Sequence, residues 1–132
     1  DRRGLTATAA CSVSMEPPTL LVCVNRGGDA LAAILENGSF CVNLLSGRDE
    51  AVAACFAGQG ERYGADKFAP FAWSELATGA PALDGALANV DCRLSGSYET
   101  ASHLVVFGEV QAVRLDPSRG ALAYFDRRFL EL

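Results

Sequence analysis

Short runs of alternating apolar and polar residues, separated by glycine and proline, dominate this chain. Two long stretches, residues 86–98 and 103–115, alternate with a period close to two, as half-buried β-strands do. Shorter strands are predicted over residues 5–14, 19–25, 39–45 and 72–78, with a final strand or strand pair over residues 122–132. The pattern predicts a chain in which strands predominate.

Two short helices interrupt these strands. Residues 29–37 carry one apolar stripe, with Asp29 as a candidate N-cap and Asn37-Gly38 as the stop. Residues 49–56 are rich in alanine and end before Gly58. Turns or loops are predicted at Glu16-Pro17-Pro18, residues 58–71, Gly79-Ala-Pro-Ala82, residues 99–102 and residues 116–120. Strands joined by turns favour a mainly β fold, an antiparallel barrel, over alternating βαβ units.

Composition narrows the class of protein. The 132 residues suit one domain, half of them are hydrophobic, and no apolar run approaches membrane-spanning length or a signal peptide. A net charge of −5 without a basic cluster argues against nucleic-acid binding. The five cysteines lack CxxC spacing and there is one histidine, so we expect reduced thiols, no metal site and a cytoplasmic protein. They are Cys11, Cys23, Cys41, Cys55 and Cys92.

The most informative stretch is Gly4–Ser14, which consists almost entirely of small side chains and hydroxyls before Pro17-Pro18. In an unbroken strand, its four hydroxyl residues would line one face because side chains alternate. They are Thr6, Thr8, Ser12 and Ser14. Two interpretations are equally open at this point. Small residues permit close packing against a neighbouring strand, or they leave the main chain open to a flat ligand with a polar edge.

The same stretch resembles a known signature. Thr6-Ala7-x-x-x-x-Ser12-Val13-Ser14-x-x-Pro17-Pro18 is similar to the motif of the flavin reductase-like family, the short-chain NAD(P)H:flavin oxidoreductases. Further matches follow in the family's order along nearly the whole chain. They are Leu20–Asn25, Gly38–Leu45, Phe56–Gly58, Lys67-Phe68, Gly79–Leu83, Cys92, His103, Gly108–Val110 and Leu122–Phe129.

This resemblance implies a Greek-key split β-barrel with two or three short helices, and FMN, or alternatively FAD, as the cofactor. NADH or NADPH would be the co-substrate. It also implies a homodimer whose second subunit helps to cover the flavin cleft, and a flavin-dependent monooxygenase as partner. Family members have a helix and a first strand ahead of this motif, so we expect residues 1–132 to be one domain that lacks those elements.

The resemblance also assigns flavin contacts. The segment Thr6, Ala7, Thr8 and Ala9 would hold the ring, since small residues let it approach main-chain N–H donors. Ser12 and Ser14 would contact the ribityl chain or phosphate. Phe56, Ala57 and Gly58 would touch the flavin from the loop after the second helix, although without the resemblance a helix C-cap with a buried Phe is the preferred interpretation.

For the phosphate, we expect Arg26, Gly27 and Gly28 at the start of the first helix. Glycines free backbone N–H groups there, and the helix dipole and Arg26 add positive charge. A simple strand-to-helix turn is the alternative. Asp29 suits a phosphate neighbour only if it points away.

The single histidine, His103, would position the nicotinamide or hold a proton near the flavin, as the resemblance implies. On composition alone it is a structural residue of a hairpin. Tyr124 and Arg127 are further candidates for contacting the nucleotide. The alternative for Tyr124 is packing in the core, and the alternative for Arg127 is a charge exposed to solvent. No GxGxxG follows a strand, so a nicotinamide nucleotide would have to share the flavin's cleft.

The expected function is an NAD(P)H-dependent flavin reductase that supplies reduced flavin to a monooxygenase. Three alternatives stay open on sequence alone. The chain could hold flavin without turnover, reduce another acceptor such as ferric iron or cobalamin through bound flavin, or be a flavin-free binding barrel.

Overall fold

The computed structural model describes residues 2–132. In chain order, it contains β1 Ala10–Met15, β2 Pro18–Asn25, α1 Asp29–Asn37, β3 Ser39–Leu44, α2 Glu50–Phe56, a 3-10 helix Gly64–Phe68, β4 Trp73–Glu75, β5 Pro81–Leu83, β6 Ala88–Glu99, β7 His103–Leu115, β8 Leu122–Phe125 and β9 Arg128–Glu131. None of the helices within residues 2–132 is long and apolar enough to cross a membrane.

One antiparallel sheet in the order β1-β2-β7-β6-β3 forms the centre of the fold. The two long strands predicted from the sequence are β6 and β7 of this sheet, and the hairpin before His103 joins them. β4–β5 and β8–β9 form two small two-stranded sheets beside it. The expectation of a mainly antiparallel β fold with short helices is therefore confirmed.

The inner face of the sheet carries the main core. Val22 and Val24 of β2 pack with Leu104 and Val106 of β7, together with Phe40 and Cys92. Gly108 allows the sheet to close on this core, because a Cβ there would lie 2.7 Å from Cys92 Cβ. α1 covers one side of this core through Leu31 and Ile34.

A second core fixes the position of α2. The ring of Phe56, at the end of that helix, lies 4.9 Å from the Phe68 ring and 5.8 Å from the Trp73 ring, edge to face in both pairs. Trp73 Nε1 donates to the Phe68 carbonyl over 3.0 Å, so the N–H of the half-buried indole has a partner. This cluster ties α2, the 3-10 helix and β4 into one unit.

Several sequence-based boundaries were wrong. The strand predicted over residues 5–14 begins only at Ala10, because Thr6 bonds to α2 and, of the residues before Ala10, only Ala9 bonds to β2, through its carbonyl. Gly28, not Asp29, is the N-cap of α1, and Asp29 pairs with Arg3 over 3.1 Å. The Gly79–Ala82 turn contains the start of β5, and the 58–71 loop contains the 3-10 helix.

Candidate functional site

The segment before β1 is fixed at both ends by backbone hydrogen bonds. Thr6 N–H donates to the Phe56 carbonyl over 3.2 Å, and the Thr6 hydroxyl donates to the Ala53 carbonyl over 2.7 Å. Three residues on, the Ala9 carbonyl accepts from Cys23 N–H over 2.9 Å. The structure therefore brings Thr6–Ala9 beside two other predicted site elements, the end of α2 and the end of β2.

Between these anchors the main chain is open. Residues 7–14 are all exposed, and no described strand pairs with the outer side of β1. Within residues 2–132, the N–H groups of Ala7, Thr8 and Ala9 donate to no other residue. These three consecutive N–H groups, next to the edge strand β1, are available to a ligand that carries acceptor atoms. We call residues 6–14 the edge segment.

The hydroxyl groups of the edge segment do not share one face. A bulge at Val13 places Ser12 opposite Leu20 but Ser14 opposite Thr19, and consecutive residues of β2 point to opposite faces. Ser14 Oγ is already bonded to the Pro17 carbonyl at 2.6 Å. The predicted one-sided stripe of hydroxyls was therefore wrong. Within the described chain, the hydroxyls of Thr8 and Ser12 stay free for a ligand.

His103 lies near the edge segment on the outer face of the sheet. It is the first residue of β7, directly opposite Asn25, which is two residues beyond Cys23 on β2. That offset corresponds to roughly 7 Å along the strand. Residues two apart, and residues directly opposite, share a face, so His103 is on the side of Cys23, away from the inner core.

The predicted phosphate site is occupied by the chain's own groups. Gly27 N–H donates to Asn25 Oδ1 over 2.8 Å, and Gly28 N–H reaches the Asn25 carbonyl at 3.4 Å. The Arg26 guanidinium pairs with Glu99 at 3.3 Å and donates to the Thr100 carbonyl over 2.9 Å. The expectation of free glycine N–H groups was wrong, because an Asn precedes them and accepts their hydrogen bonds.

Arg26 instead holds the β6–β7 hairpin. Besides its side-chain contacts, Arg26 N–H donates to the Ser102 carbonyl over 3.1 Å. Thr100 continues this arrangement, since its Oγ1 accepts from His103 N–H over 3.1 Å and donates to the His103 carbonyl over 2.6 Å. The sequence analysis did not assign Thr100. Polar residues flanking the only histidine were the available signal for it.

A cavity of about 700 Å³ lies behind the edge segment. Its inner wall is formed by core residues of the sheet, Val22, Val24 and Val106 among them. Thr6, Ala7, Thr8, Phe56 and Tyr124 also line it, whereas Ser12, Arg26, Gly27, Gly28, Ala57, Gly58, His103 and Arg127 do not. The cavity has a mixed lining, with Asn37, Asn43 and Thr78 beside the apolar residues, and the second group of predicted site residues lies outside it.

The remaining predicted contacts are divided between two places. Ala57 and Gly58 are exposed at the end of α2, next to the Thr6 anchor, and Gly58 has a φ of 83°. Tyr124 packs against Phe129 with ring centres 4.9 Å apart on the cavity side. Arg127 is exposed in the turn between β8 and β9. A single chain thus does not bring Tyr124 or Arg127 beside His103.

The cysteines are free thiols, and two of them have low reactivity. Burial, with a further contribution from Asp91, raises the pKa of Cys41 to about 12 and that of Cys92 to about 12. Such thiols stay protonated near neutral pH and are poor nucleophiles. Cysteine chemistry at these two positions therefore does not compete with the edge segment as the candidate site.

The sheet curled around one core, with an open first strand, is the split-barrel class of fold. A family model described as Flavin reductase like domain matches residues 1–132. The chain belongs to the flavin reductase-like family. This confirms the resemblance drawn from the edge segment and the motifs after it.

Individual relatives that this chain resembles are also named as flavin reductases or flavin oxidoreductases. FMN reductase (NADH) RutF of Methylorubrum extorquens is 45% identical over 131 residues, which is 99% of this chain and 63% of the relative, so the chain spans just under two thirds of that protein. The NADH:FAD oxidoreductase SgcE6 of Streptomyces globisporus, solved with NAD and FAD fragments, superposes with a TM-score of 0.89 at 30% identity, covering 98% of this chain and 77% of that one.

A third relative is BorF, the flavin reductase component of a bacterial two-component tryptophan halogenase. It superposes with a TM-score of 0.86 at 33% identity over 97% of this chain and 81% of BorF.

Proposed function

We propose that this protein is an NADH-dependent FMN reductase. The observation that carries the proposal is the edge segment, where three free N–H donors lie on an exposed main chain bordered by the residues that the family motif selects. The names of the relatives give the same activity, FMN reductase (NADH), to proteins that this chain matches along almost its whole length. Bound FMN supplies the hydride-accepting ring.

The flavin ring is proposed to lie along the open edge of Ala7–Ser12, toward the outer face. Its acceptor edge meets the N–H groups of Ala7, Thr8 and Ala9, and small side chains keep that approach unobstructed. Fixed donors aimed at a developing negative charge stabilise it without reorganisation. Ala57 and Gly58 border the same position because Thr6 is bonded to Phe56.

The polar tail of FMN is proposed to reach toward the β2–α1 turn, which lies beyond the Ala9 end of the edge segment. Arg26 provides positive charge there, although the Glu99 carboxylate and the Thr100 carbonyl already engage it. The exposed Arg26–Glu99 pair is a weak interaction that a phosphate dianion can replace. The glycine N–H groups have no part in this proposal, since Asn25 accepts from both.

NADH is proposed to enter the same cleft and to stack on the exposed ring. His103, on the outer face, is the histidine that positions the nicotinamide. Productive transfer requires the donor carbon and the flavin nitrogen to approach within about 3–3.5 Å, which a shared narrow cleft imposes. Tyr124 and Arg127 take part only if a second subunit supplies them.

A homodimer is proposed because the outer face of the sheet is apolar. Residues directly opposite one another across four strands give it a continuous hydrophobic surface. Tyr98 is 68% exposed there. A second copy of this chain would cover that face and, beside it, would form a cleft with the surface around His103. The surface consists of Cys11, Leu21, Cys23, Val105, Phe107 and Tyr98.

The partner that consumes reduced flavin is proposed to be a monooxygenase or a related oxygen-using enzyme, since BorF serves a two-component halogenase. The cytoplasm is proposed as the compartment, because the five cysteines are free thiols.

Anaerobic mixing with NADH tests the activity. FMN is incubated with the protein, NADH is added, and flavin absorbance is followed in a rapid-mixing spectrometer. We expect rapid bleaching with the wild type and a several-fold slower rate with His103→Ala, at nearly unchanged flavin affinity. Flavin that binds but never bleaches would identify a flavin carrier, and absence of binding would identify a flavin-free barrel.

A further inference from the structure

Ser102 is bonded to the only histidine of the chain. Ser102 Oγ lies 2.8 Å from His103 Nδ1, and within residues 2–132 this is the one hydrogen bond of that hydroxyl. Both residues lie at the turn of the β6–β7 hairpin, with Ser102 exposed and His103 half-buried. The contact therefore determines which ring nitrogen of His103 is left for a ligand.

The backbone around this pair is held firmly enough for the contact to persist. Thr100 brackets His103 with bonds to its N–H and to its carbonyl, at 3.1 Å and 2.6 Å. Arg26 N–H fixes the Ser102 carbonyl at 3.1 Å. Thr100 of the hairpin and Arg26 of the β2–α1 turn thus hold the backbone of Ser102 and His103.

We propose that Ser102 is a positioning residue that fixes the Nε2–H tautomer of neutral His103. The 2.8 Å contact fits either direction of donation, and the proposal makes the Ser102 hydroxyl the donor to an unprotonated Nδ1, so that the ring proton resides on Nε2. Nε2, which bonds to no other residue within 2–132, becomes a hydrogen-bond donor. His103 would therefore offer its proton to a carbonyl acceptor and would not act as a base at this nitrogen.

The proposal deepens the proposed function, on which its kinetic part rests. An amide carbonyl, such as that of a nicotinamide carboxamide, is the acceptor class that suits a neutral N–H donor. The donor would orient the carboxamide, and with it the plane of the ring that carries the hydride. The tautomer itself does not depend on the proposed function, because it is a property of the free protein.

Nitrogen NMR tests the tautomer directly. With ¹⁵N-labelled histidine, all ring signals belong to His103, since the chain contains one histidine. At pH 8.5, we expect a protonated Nε2 and an unprotonated Nδ1 in the wild type. Ser102→Ala should move both nitrogen shifts toward each other as the second tautomer becomes populated, and Ser102→Thr should restore them.

Ser97→Ala is the matched control, since Ser97 is exposed on β6 and its hydroxyl makes no hydrogen bond within the described chain. A wild type with the proton on Nδ1, or a Ser102→Ala protein with unchanged ring shifts, would overturn the proposal. In the reductase assay, Ser102→Ala should raise KM for NADH about threefold to tenfold, with Kd for FMN unchanged. Reductase activity missing from the wild type, with the NMR result intact, would refute only the proposed function.

Discussion

The central strands and the edge segment use similar small and apolar residues, yet their hydrogen bonds differ. In β2 and β7 every residue from Thr19 to Asn25 has a partner opposite, and the inner side chains are buried. In the edge segment, Ala7–Ala9 stay exposed, and their three N–H groups have no partner among residues 2–132. The centre uses small residues to close a core, and the edge uses them to keep a surface open.

This difference separates stability from function within one sheet. A change that enlarges a side chain should disturb folding at the centre and ligand binding at the edge. The predictions below test that division, beginning with the largest expected effect.

Gly108→Ala should destabilise the fold by about 2–3 kcal/mol, because the new Cβ would lie 2.5 Å from Phe40 Cζ and 2.7 Å from Cys92 Cβ. Denaturant unfolding measures the loss. Gly96→Ala is the matched control on the outer face, where a Cβ would be 3.8 Å from the Phe107 ring. Equal unfolding free energies for the two variants would show that the inner face is not closely packed at Gly108.

Ala9→Leu should weaken FMN binding about thirtyfold, or ~2 kcal/mol, while leaving the melting temperature within a degree or two. The added side chain fills the space proposed for the ring at an exposed position. Fluorescence titration measures the affinity. Ala51→Leu, at an exposed position of α2, should leave it unchanged. Undiminished FMN affinity in Ala9→Leu would place the ring elsewhere.

Tyr98→Asp should raise the dimer dissociation constant about tenfold, since it puts a charge on the apolar outer face. Sedimentation velocity over a concentration series measures it. Tyr63→Asp, which alters a side chain that is 77% exposed in the loop before the 3-10 helix, serves as the control. Identical sedimentation of both variants and the wild type would remove the outer face as the interface.

Cys41 and Cys92 should resist alkylation at pH 8, because with a pKa of about 12 roughly one molecule in 10⁴ carries either thiolate at that pH. Their reactivity should rise as the pH approaches 12. Cys11, exposed on β1, should be modified first when the protein is dilute and become protected as the dimer forms. Mass spectrometry of the labelled peptides assigns each site. Cys92 labelling as fast as Cys11 would show that the core opens readily.

Much of the fold could be predicted from the sequence, because strand periodicity and turn residues act locally. β7 alternates between the two faces over residues 103–108, as its sequence predicts, whereas shifts of register interrupt the alternation of β6. Gly38, with a φ of 69°, ends α1 as expected. The first strand was predicted five residues too early. Its small residues suit a strand, but the Thr6 bonds to Phe56 and Ala53 of α2 take precedence.

The site was predicted less completely, because its details depend on contacts between distant residues. The Val13 bulge that separates Ser12 from Ser14 has no sequence signal of its own. The ion pair between Arg26 and Glu99 joins positions that are far apart in the chain. Ser102 stands where the resemblance would place an aspartate, and its proposed role follows only from the 2.8 Å contact with His103.

The central claim is that FMN binds along the open edge of residues 7–12, and backbone NMR tests it most directly. FMN is titrated into ¹⁵N-labelled protein while each amide signal is followed. The account predicts that the amides of Ala7, Thr8 and Ala9 shift most, with smaller changes at Ala57, Gly58 and the His103 hairpin. Shifts concentrated at Val24, Phe40 and other residues lining the inner cavity, with the edge segment unmoved, would contradict it.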